Sequence, residues 1–399
     1  LYRRFQYKAG RILIILPALL LSFFGCLSQT SSQEGYKQEK IMIGIYSGIK
    51  ITHVFVSPIS QVYIVSFGDS IISLINRNDV LSVTLQNDSL KLKTLSKELG
   101  IFKRIKISPL GAMTSLKIKP VETKAAEMVC DNNLFIAATG KKLLLFNEVD
   151  VDNYVAGVVE AETGISAPKE YYKIQAIMCR TFALESRGRH IAEGFDVCDR
   201  EHCQVFKGRN YKNAEIKLAV AATSGLVLAD KDNKMILAAY HSNCGGQTEP
   251  SENVWKSEKD YLKPVADTFC IKARNANWEK IISVQDWEKY LVKQNKDYSK
   301  PADSLYCFYQ PSRKNVYELF GAKISLTQMR KDLKLNSTFF NLEQDGDKII
   351  LNGRGSGHGV GLCQQGAMEM AATGYSYKKI LGYYFKGVKL VNYSQVKQN

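Results

Sequence analysis

The stretch that most constrains this chain reads Asn153-Tyr154-Val155-Ala156-Gly157-Val158-Val159-Glu160-Ala161-Glu162. Val155, Val158 and Val159 form an apolar block that demands burial, and two carboxylates follow it at once. A carboxyl delivered straight from such a block is desolvated, which raises its pKa toward the range where a general acid works. Glu160 and Glu162 are therefore the candidate acid/bases, against the plainer reading of a solvated Glu beside a core element. Ala167-Pro168 then opens a helix running to Leu184: Tyr172, Ala176, Cys179 and Ala183 recur at helical spacing, and Lys173, Ile177, Arg180 and Leu184 share a second face. Gly188 suits its C-terminal stop.

Upstream, residues 41–141 read as a β-rich domain. Gln61–Phe67, Leu81–Leu85 and Leu90–Leu92 alternate or cluster apolar residues, and Asn87-Asp88-Ser89 marks a hairpin turn. His53 sits in an apolar strand as a packing residue. Residues 142–399 read as a mixed α/β domain with short helices, so the fold class is α+β. Strands are expected at Leu143–Phe146, Met235–Tyr240, Val316–Leu326 and Lys348–Leu351. Helices are expected at Lys217–Ala222, Ile281–Lys293, Gln365–Thr373 and Tyr377–Phe385, with an insertion near residues 275–315.

The 54 basic and 39 acidic residues give a net charge of +15. Only Arg3, Arg4, Lys8 and Arg11 of this excess belong to the N-terminal segment, so the remainder favours anionic partners. No dense basic block interleaved with aromatics is present, which argues against nucleic acid. Residues 1–26 have the layout of a secretory signal: basic residues, the apolar run Ile12–Phe24 interrupted by Pro17, then Gly25-Cys26. That run is short for a membrane span. The final pair resembles a lipoprotein signal, with Cys26 as the lipidated residue; plain cleavage is the alternative. Residues 27–40 read as a linker, and membrane contact is expected only through this anchor.

Three further stretches carry chemistry. In Gly353-Arg354-Gly355-Ser356-Gly357-His358-Gly359-Val360-Gly361, glycine falls at every second position. An extended strip would leave one face bare for a flat ligand and project Arg354, Ser356, His358 and Val360 from the other. Gln364 and Gln365 follow. His190, Cys198, His202 and Cys203 have the number and softness for a tetrahedral zinc site, while a Cys198–Cys203 disulfide or a free pair fits the sequence equally. Tyr240-His241-Ser242-Asn243-Cys244-Gly245-Gly246 invites a nucleophile reading, but it lacks a nucleophile-elbow pattern and an acidic third member. Sugar contacts, or a helix start at Gly245-Gly246, are the quieter alternatives.

Together these stretches resemble the stage II sporulation protein D family, which includes amidase-enhancer proteins and peptidoglycan lytic transglycosylases, over roughly residues 142–391. The resemblance rests on Tyr154-Val155-Ala156-Gly157-Val158-Val159 with Glu162, Lys173-Ile174-Gln175-Ala176, Cys179-Arg180-Thr181-Phe182, and His202-Cys203-Gln204-Val205. It rests also on Tyr240–Gly246, Tyr261–Asp267 and Gly357–Gly361. It implies that Glu162 rather than Glu160 is catalytic, and it favours one structural zinc ion on the His/Cys set. Arg180, Tyr240, Ser242, Asn243, Ser356, His358 and Gln364 become the expected substrate contacts. The implied activity is cleavage of the MurNAc–GlcNAc bond without water, leaving 1,6-anhydro ends. The implied partners are peptidoglycan glycan strands and a cell-wall amidase, in the cell envelope. Departures from the family pattern are Thr163-Gly164 for Met-Pro after the acid, Ser356 for an aromatic, and Cys363 for Ser.

Overall fold

The computed structural model describes residues 39–397 except 112–113, 122, 211, 256 and 295–297. The expected signal segment, the lipidation site Cys26 and most of the linker lie outside the described residues.

Alternation in residues 40–150 folds into two sheets, one of which takes in the strand Lys142–Asp150 that was expected to open the second domain. The seven-stranded sheet runs Val197–Cys198, Lys40–Ile45, Lys142–Asp150, Asn133–Thr139, Arg104–Pro109, Tyr63–Phe67, Ser70–Ile75. The six-stranded sheet runs Met128–Asp131, Ser115–Pro120, His53–Ser60, Leu81–Gln86, Ser89–Lys93, Glu98–Phe102. Inward residues of both, such as Ile43, Ile136 and Leu145 of the first and Val54, Val83 and Ile118 of the second, share one core, so the sheets pack face to face. Asn87 and Asp88 take φ of 47° and 56°, the paired left-handed turn that closes a two-residue hairpin. His53 packs in its strand with Nε2 2.9 Å from Ser82 Oγ.

Lys142–Asp150 is an interior strand of the first sheet, paired to Lys40–Ile45 on one side and Asn133–Thr139 on the other. It leads directly into α1 (Val151–Thr163), which is followed by α2 (Lys169–Glu185) and α3 (Ala214–Ala222). The sandwich core continues into these helices through Tyr154, Val155, Val158 and Val159, and through Tyr172, Ala176, Cys179 and Ala183, the face anticipated for α2. The second face of α2 is Tyr171, Ile174, Ile177 and Met178, which joins another core with Val360, Leu362, Ala367, Ile380 and Leu381. The expected Lys173/Arg180/Leu184 grouping does not form: Leu184 belongs to the sandwich side, and Arg180 is taken by an ion pair described below.

Beyond α4 (Ser251–Trp255), the insertion extends further than expected. Asn277–Ser283, Lys348–Arg354, Phe340–Asp345 and Cys307–Phe308 form a four-stranded sheet. With α5 (Val284–Gln294), the hairpin Val316–Leu319/Ala322–Ser325 and α6 (Leu326–Asp332), this sheet closes its own core around Trp287, Leu291, Tyr317, Phe340 and Leu351. The helix expected from Ile281 starts at Val284, because residues 277–283 alternate and pair with Lys348–Arg354. The strand expected over 316–326 folds back at Phe320-Gly321, both with positive φ. Met235–Tyr240 is not a regular strand, since only a bridge at Met235 and the pair Tyr240–His241 are formed. α7 (Gln364–Ala372) and α8 (Tyr377–Tyr384) fall where expected.

Candidate functional site

A cleft of about 400 Å³ is lined by Glu162, Phe182, Glu201, His202, Cys203, Gln204, Val205, residues 237–240, Trp255 and His358. Glu162 enters it from the last turn of α1, where the negative end of the helix dipole disfavours a carboxylate. Burial is the main cause that raises its pKa above the ordinary glutamate range, and Glu201 adds to it. The Val205 N–H, which donates to Oε1 at 3.0 Å, and the Lys207 charge oppose the shift without cancelling it. Glu160 plays another part. Its Oε2 accepts from Asn210 Nδ2 at 2.5 Å and from the Lys212 N–H at 2.9 Å, so it fastens the loop before α3.

The Tyr-x-x-Gly spacing in α1 explains how Val205 reaches Glu162. A Cβ on Gly157 would stand 2.3 Å from Gly208 O and 2.7 Å from the Phe206 ring, so only glycine lets the 204–208 loop lie on the helix. Tyr154 holds the same loop: its hydroxyl donates to Gln204 Oε1 at 3.2 Å, and its ring centroid is 5.3 Å from that of Phe206.

Across the cleft, burial, Cys179 and Glu162 push the Tyr240 hydroxyl well above its ordinary range, so it stays a protonated donor. Burial, aided by the Arg330 charge, pushes His358 down to about 4. Its Nδ1 accepts the Val360 N–H at 3.1 Å, which leaves the ring neutral with its proton on Nε2. The Trp255 ring lies 5.3 Å from the His358 ring.

The glycine-rich strip is not the extended ribbon anticipated from its alternation. Gly355, Gly357, Gly359 and Gly361 have φ of 77°, 108°, 84° and 75°, so the chain coils and its side chains do not share a face. The bare side is covered by the protein itself: a Cβ on Gly361 would lie 2.2 Å from Ala239 O, and one on Gly355 2.6 Å from Asn243 O. His358 alone of the strip lines the cleft. Arg354 lies over the Phe339 ring at 3.6 Å and donates to Gln310 O at 2.6 Å, and Val360 is core. Ser356 pairs through its backbone with Asn243.

Of the expected sugar contacts, Tyr240 and His358 line the cleft and the others do not. Arg180 is fully buried: Nε and Nη2 donate to Asp152 Oδ1 at 2.9 and 2.7 Å, and Nη1 donates to Leu226 O at 3.2 Å. It ties α2 to α1 and to the strand Leu226–Ala229, so it is not a substrate contact. Asn243 spends its amide on Cys270 O, Gln365 Oε1 and the Gly245 N–H. Ser242 Oγ accepts from Asn275 Nδ2 at 3.0 Å, and Gln364 bonds the Tyr171 hydroxyl. Sequence reasoning missed Trp255 and the part played by Gln204. Trp255 is 41% exposed beside a half-buried histidine, an uncommon placing for one of only three tryptophans in the chain. A second groove of about 740 Å³, lined by residues such as Asn253, Cys307, Tyr309, Arg313 and Glu318, contains no histidine.

His190, Cys198, His202 and Cys203 converge, with ligand atoms all within 4.8 Å of one another. Cys203 Sγ lies 3.4 Å from His190 Nε2 and 3.7 Å from His202 Nδ1, and Cys198 Sγ lies 3.9 Å from His202 Nδ1. These are near the about 3.6 Å that separates sulfur from nitrogen around a tetrahedral zinc-sized ion. Glu193 Oε1, 2.6 Å from His190 Nδ1, orients that ring as a carboxylate behind a metal ligand does. The two thiols are not joined to each other. The set could hold a metal ion, and it fixes the loop whose next residues are Gln204 and Val205.

Residues 139–229, which carry Glu162 and this Cys/His set, match the family model described as Stage II sporulation protein. The chain is 29% identical over 263 residues to an uncharacterized protein of Brachyspira hyodysenteriae, covering 64% of this chain and 70% of that one. It is 29% identical over 293 residues to Stage II sporulation protein D of Bacillus subtilis, covering 69% and 84%. It is 27% identical over 295 residues to the Amidase enhancer of Bacillus subtilis, covering 59% of this chain but 40% of that protein. The chain belongs to the family of stage II sporulation protein D and the amidase enhancer.

Proposed function

We propose that this protein is an exported lytic transglycosylase that cuts peptidoglycan between MurNAc and GlcNAc, with Glu162 as its single acid/base. The observation that carries the reading is a half-buried carboxyl with a raised pKa, held by the Val205 N–H, in a cleft whose opposite wall carries the protonated Tyr240 hydroxyl and the neutral His358 ring. Glycosidases that use water commonly need two carboxylates. Here one suffices, because the nucleophile is the sugar's own C6 hydroxyl. Glu162 gives its proton to the glycosidic oxygen as that bond breaks. As carboxylate it then takes the proton from the C6 hydroxyl as the new C1–O6 bond forms, and it ends as it began. Tyr240 donates toward an oxygen where charge gathers, His358 forms the neutral wall beside it, and the exposed indole of Trp255 offers a flat apolar platform for a sugar ring.

His190, Cys198, His202 and Cys203 would hold a zinc ion. With four protein ligands it would supply structure and no reactive water. The residues do the work that matters to the reaction: they hold the 202–205 turn, and with it the N–H that orients Glu162.

Glu162→Gln keeps the shape of the side chain and removes its titratable proton. We expect cleavage of purified glycan, read as anhydro-ended fragments by mass spectrometry, to fall by about 10²–10⁴-fold or more while glycan binding persists. Equal cleavage by variant and parent overturns the assignment. The relation to an amidase enhancer favours a second reading, a wall-binding protein that stimulates an amidase and does no chemistry. It is distinguished by a parent protein that binds glycan, yields no anhydro ends and accelerates the amidase.

A further inference from the structure

Behind the cleft, three segments distant in sequence bring together a second group of ligand atoms. Cys244 follows the pair Tyr240–His241, Asp267 and Cys270 lie on the loop leading into the insertion, and Cys363 is the N-cap of α7. All four residues are buried, and their ligand atoms lie within 4.8 Å of one another. Cys244 Sγ is 3.3 Å from both Cys270 Sγ and Asp267 Oδ2. A disulfide needs sulfurs about 2.05 Å apart. The observed spacing is nearer the about 3.5–3.8 Å edges of a tetrahedron around zinc.

Fixed donors already hold these groups in place. Cys363 Sγ accepts the backbone N–H of Cys244 at 3.3 Å and of Gly366 at 3.4 Å. Asp267 Oδ1 accepts from the Phe269 N–H at 3.0 Å, and Oδ2 from the Tyr384 hydroxyl at 2.9 Å. Gly366 lets the first turn of α7 come this close, since a Cβ there would lie 2.3 Å from Asp267 Oδ2. Hydrogen bonds of this kind fix and tune metal ligands.

We propose that Cys244, Asp267, Cys270 and Cys363 form a second zinc site, structural in role and sharing no residue with the His/Cys set. It would cross-link the two segments that carry Tyr240 and His358, whose strands pair as Tyr240–Leu362 and His241–Cys363. It stands whether or not the cleft cuts glycan.

The test is zinc content of the full chain, reconstituted with zinc alone and desalted. Two zinc ions per chain are expected. Cys198→Ser/Cys203→Ser, which removes only the first set, should keep one, and Cys270→Ser/Cys363→Ser should likewise keep one. Because a buried cysteine variant can fail to fold, the parent is also loaded with cobalt(II). Its thiolate-to-cobalt absorption should correspond to five thiolates per chain rather than two. One zinc per parent chain with absorption for two thiolates, or a Cys244–Cys270 disulfide mapped in the unreduced protein, overturns the proposal.

Discussion

Glu160 and Glu162 stand two residues apart on one helix and do opposite things. The first accepts two hydrogen bonds from the loop before α3 and behaves as a clamp. The second is desolvated, so its proton is held to higher pH than a free glutamate holds it. As general acid it must be protonated, so kcat/KM should fall as pH rises through that raised pKa. Glu201 raises the pKa and Lys207 lowers it. Glu201→Gln should therefore move the falling limb to lower pH, and Lys207→Ala should move it to higher pH. Both side chains are exposed, so both displacements should shrink in high salt. A pH–rate series at two ionic strengths checks this, and displacements of the opposite sign would exclude Glu162 as the titrating group. His358, neutral above about pH 4, leaves that limb to the carboxyl. Linkage adds a stability effect. The folded state binds the Glu162 proton more tightly than the unfolded state, so stability declines as pH climbs between the two pKa values. Glu162→Gln has no proton to lose there. It should match the parent in acid and resist denaturant better at neutral pH.

At the scale of elements, α1 is built to be approached. Glycine inside a helix costs about 1 kcal/mol relative to alanine by propensity alone, so Gly157→Ala would stabilise a free helix. Here the added methyl meets Gly208 O at 2.3 Å, and backbone cannot yield as a flexible side chain does. We expect the opposite sign: a loss of about 1–3 kcal/mol, the usual range for overpacking, seen in urea denaturation. Glycan cleavage should fall as well, because the displaced loop carries the Val205 N–H. A stabilised, active Gly157→Ala protein would refute this account of the motif. What the sequence made legible follows from the same physics. Alternation reports one buried face, so the strands around Leu81–Leu92 and the sandwich face of α2 could be read directly. The convergence of His190, Cys198, His202 and Cys203 was legible because few residue types bind soft cations. The coil of Gly355–Gly361 was not, because left-handed φ at alternate residues is imposed by Ala239 and Asn243 packing against it. Nor was the fate of Arg180, whose partner Asp152 lies 28 positions away on another helix.

Over the whole molecule, three cores must act together. The sandwich and helical cores share α2, whose opposite faces belong to one each. The insertion has its own core and is coupled through Arg313. That guanidinium pairs with Glu249 Oε2 at 2.9 Å, both side chains 2% exposed, and donates to Gln247 O and Cys244 O at 2.7 Å each. Glu249 in turn donates its N–H to Gly359 O at 2.8 Å, beside His358. Removing one partner of a buried pair strands the other's charge, at a cost of about 3–5 kcal/mol, whereas replacing both by neutral groups is often nearly free. Arg313→Met should therefore be strongly destabilised, and Arg313→Met/Glu249→Gln should recover most of the loss. Two of the three tryptophans, Trp278 and Trp287, lie in the insertion, so fluorescence reports mainly on it. In the parent, fluorescence and far-ultraviolet dichroism should unfold together in urea. In Arg313→Met the fluorescence transition should come first, because the insertion keeps its own core but loses its hold on the cleft. Coincident transitions in that variant would show that apolar packing alone couples the insertion, and that Arg313 serves only the local placing of residues 244–249.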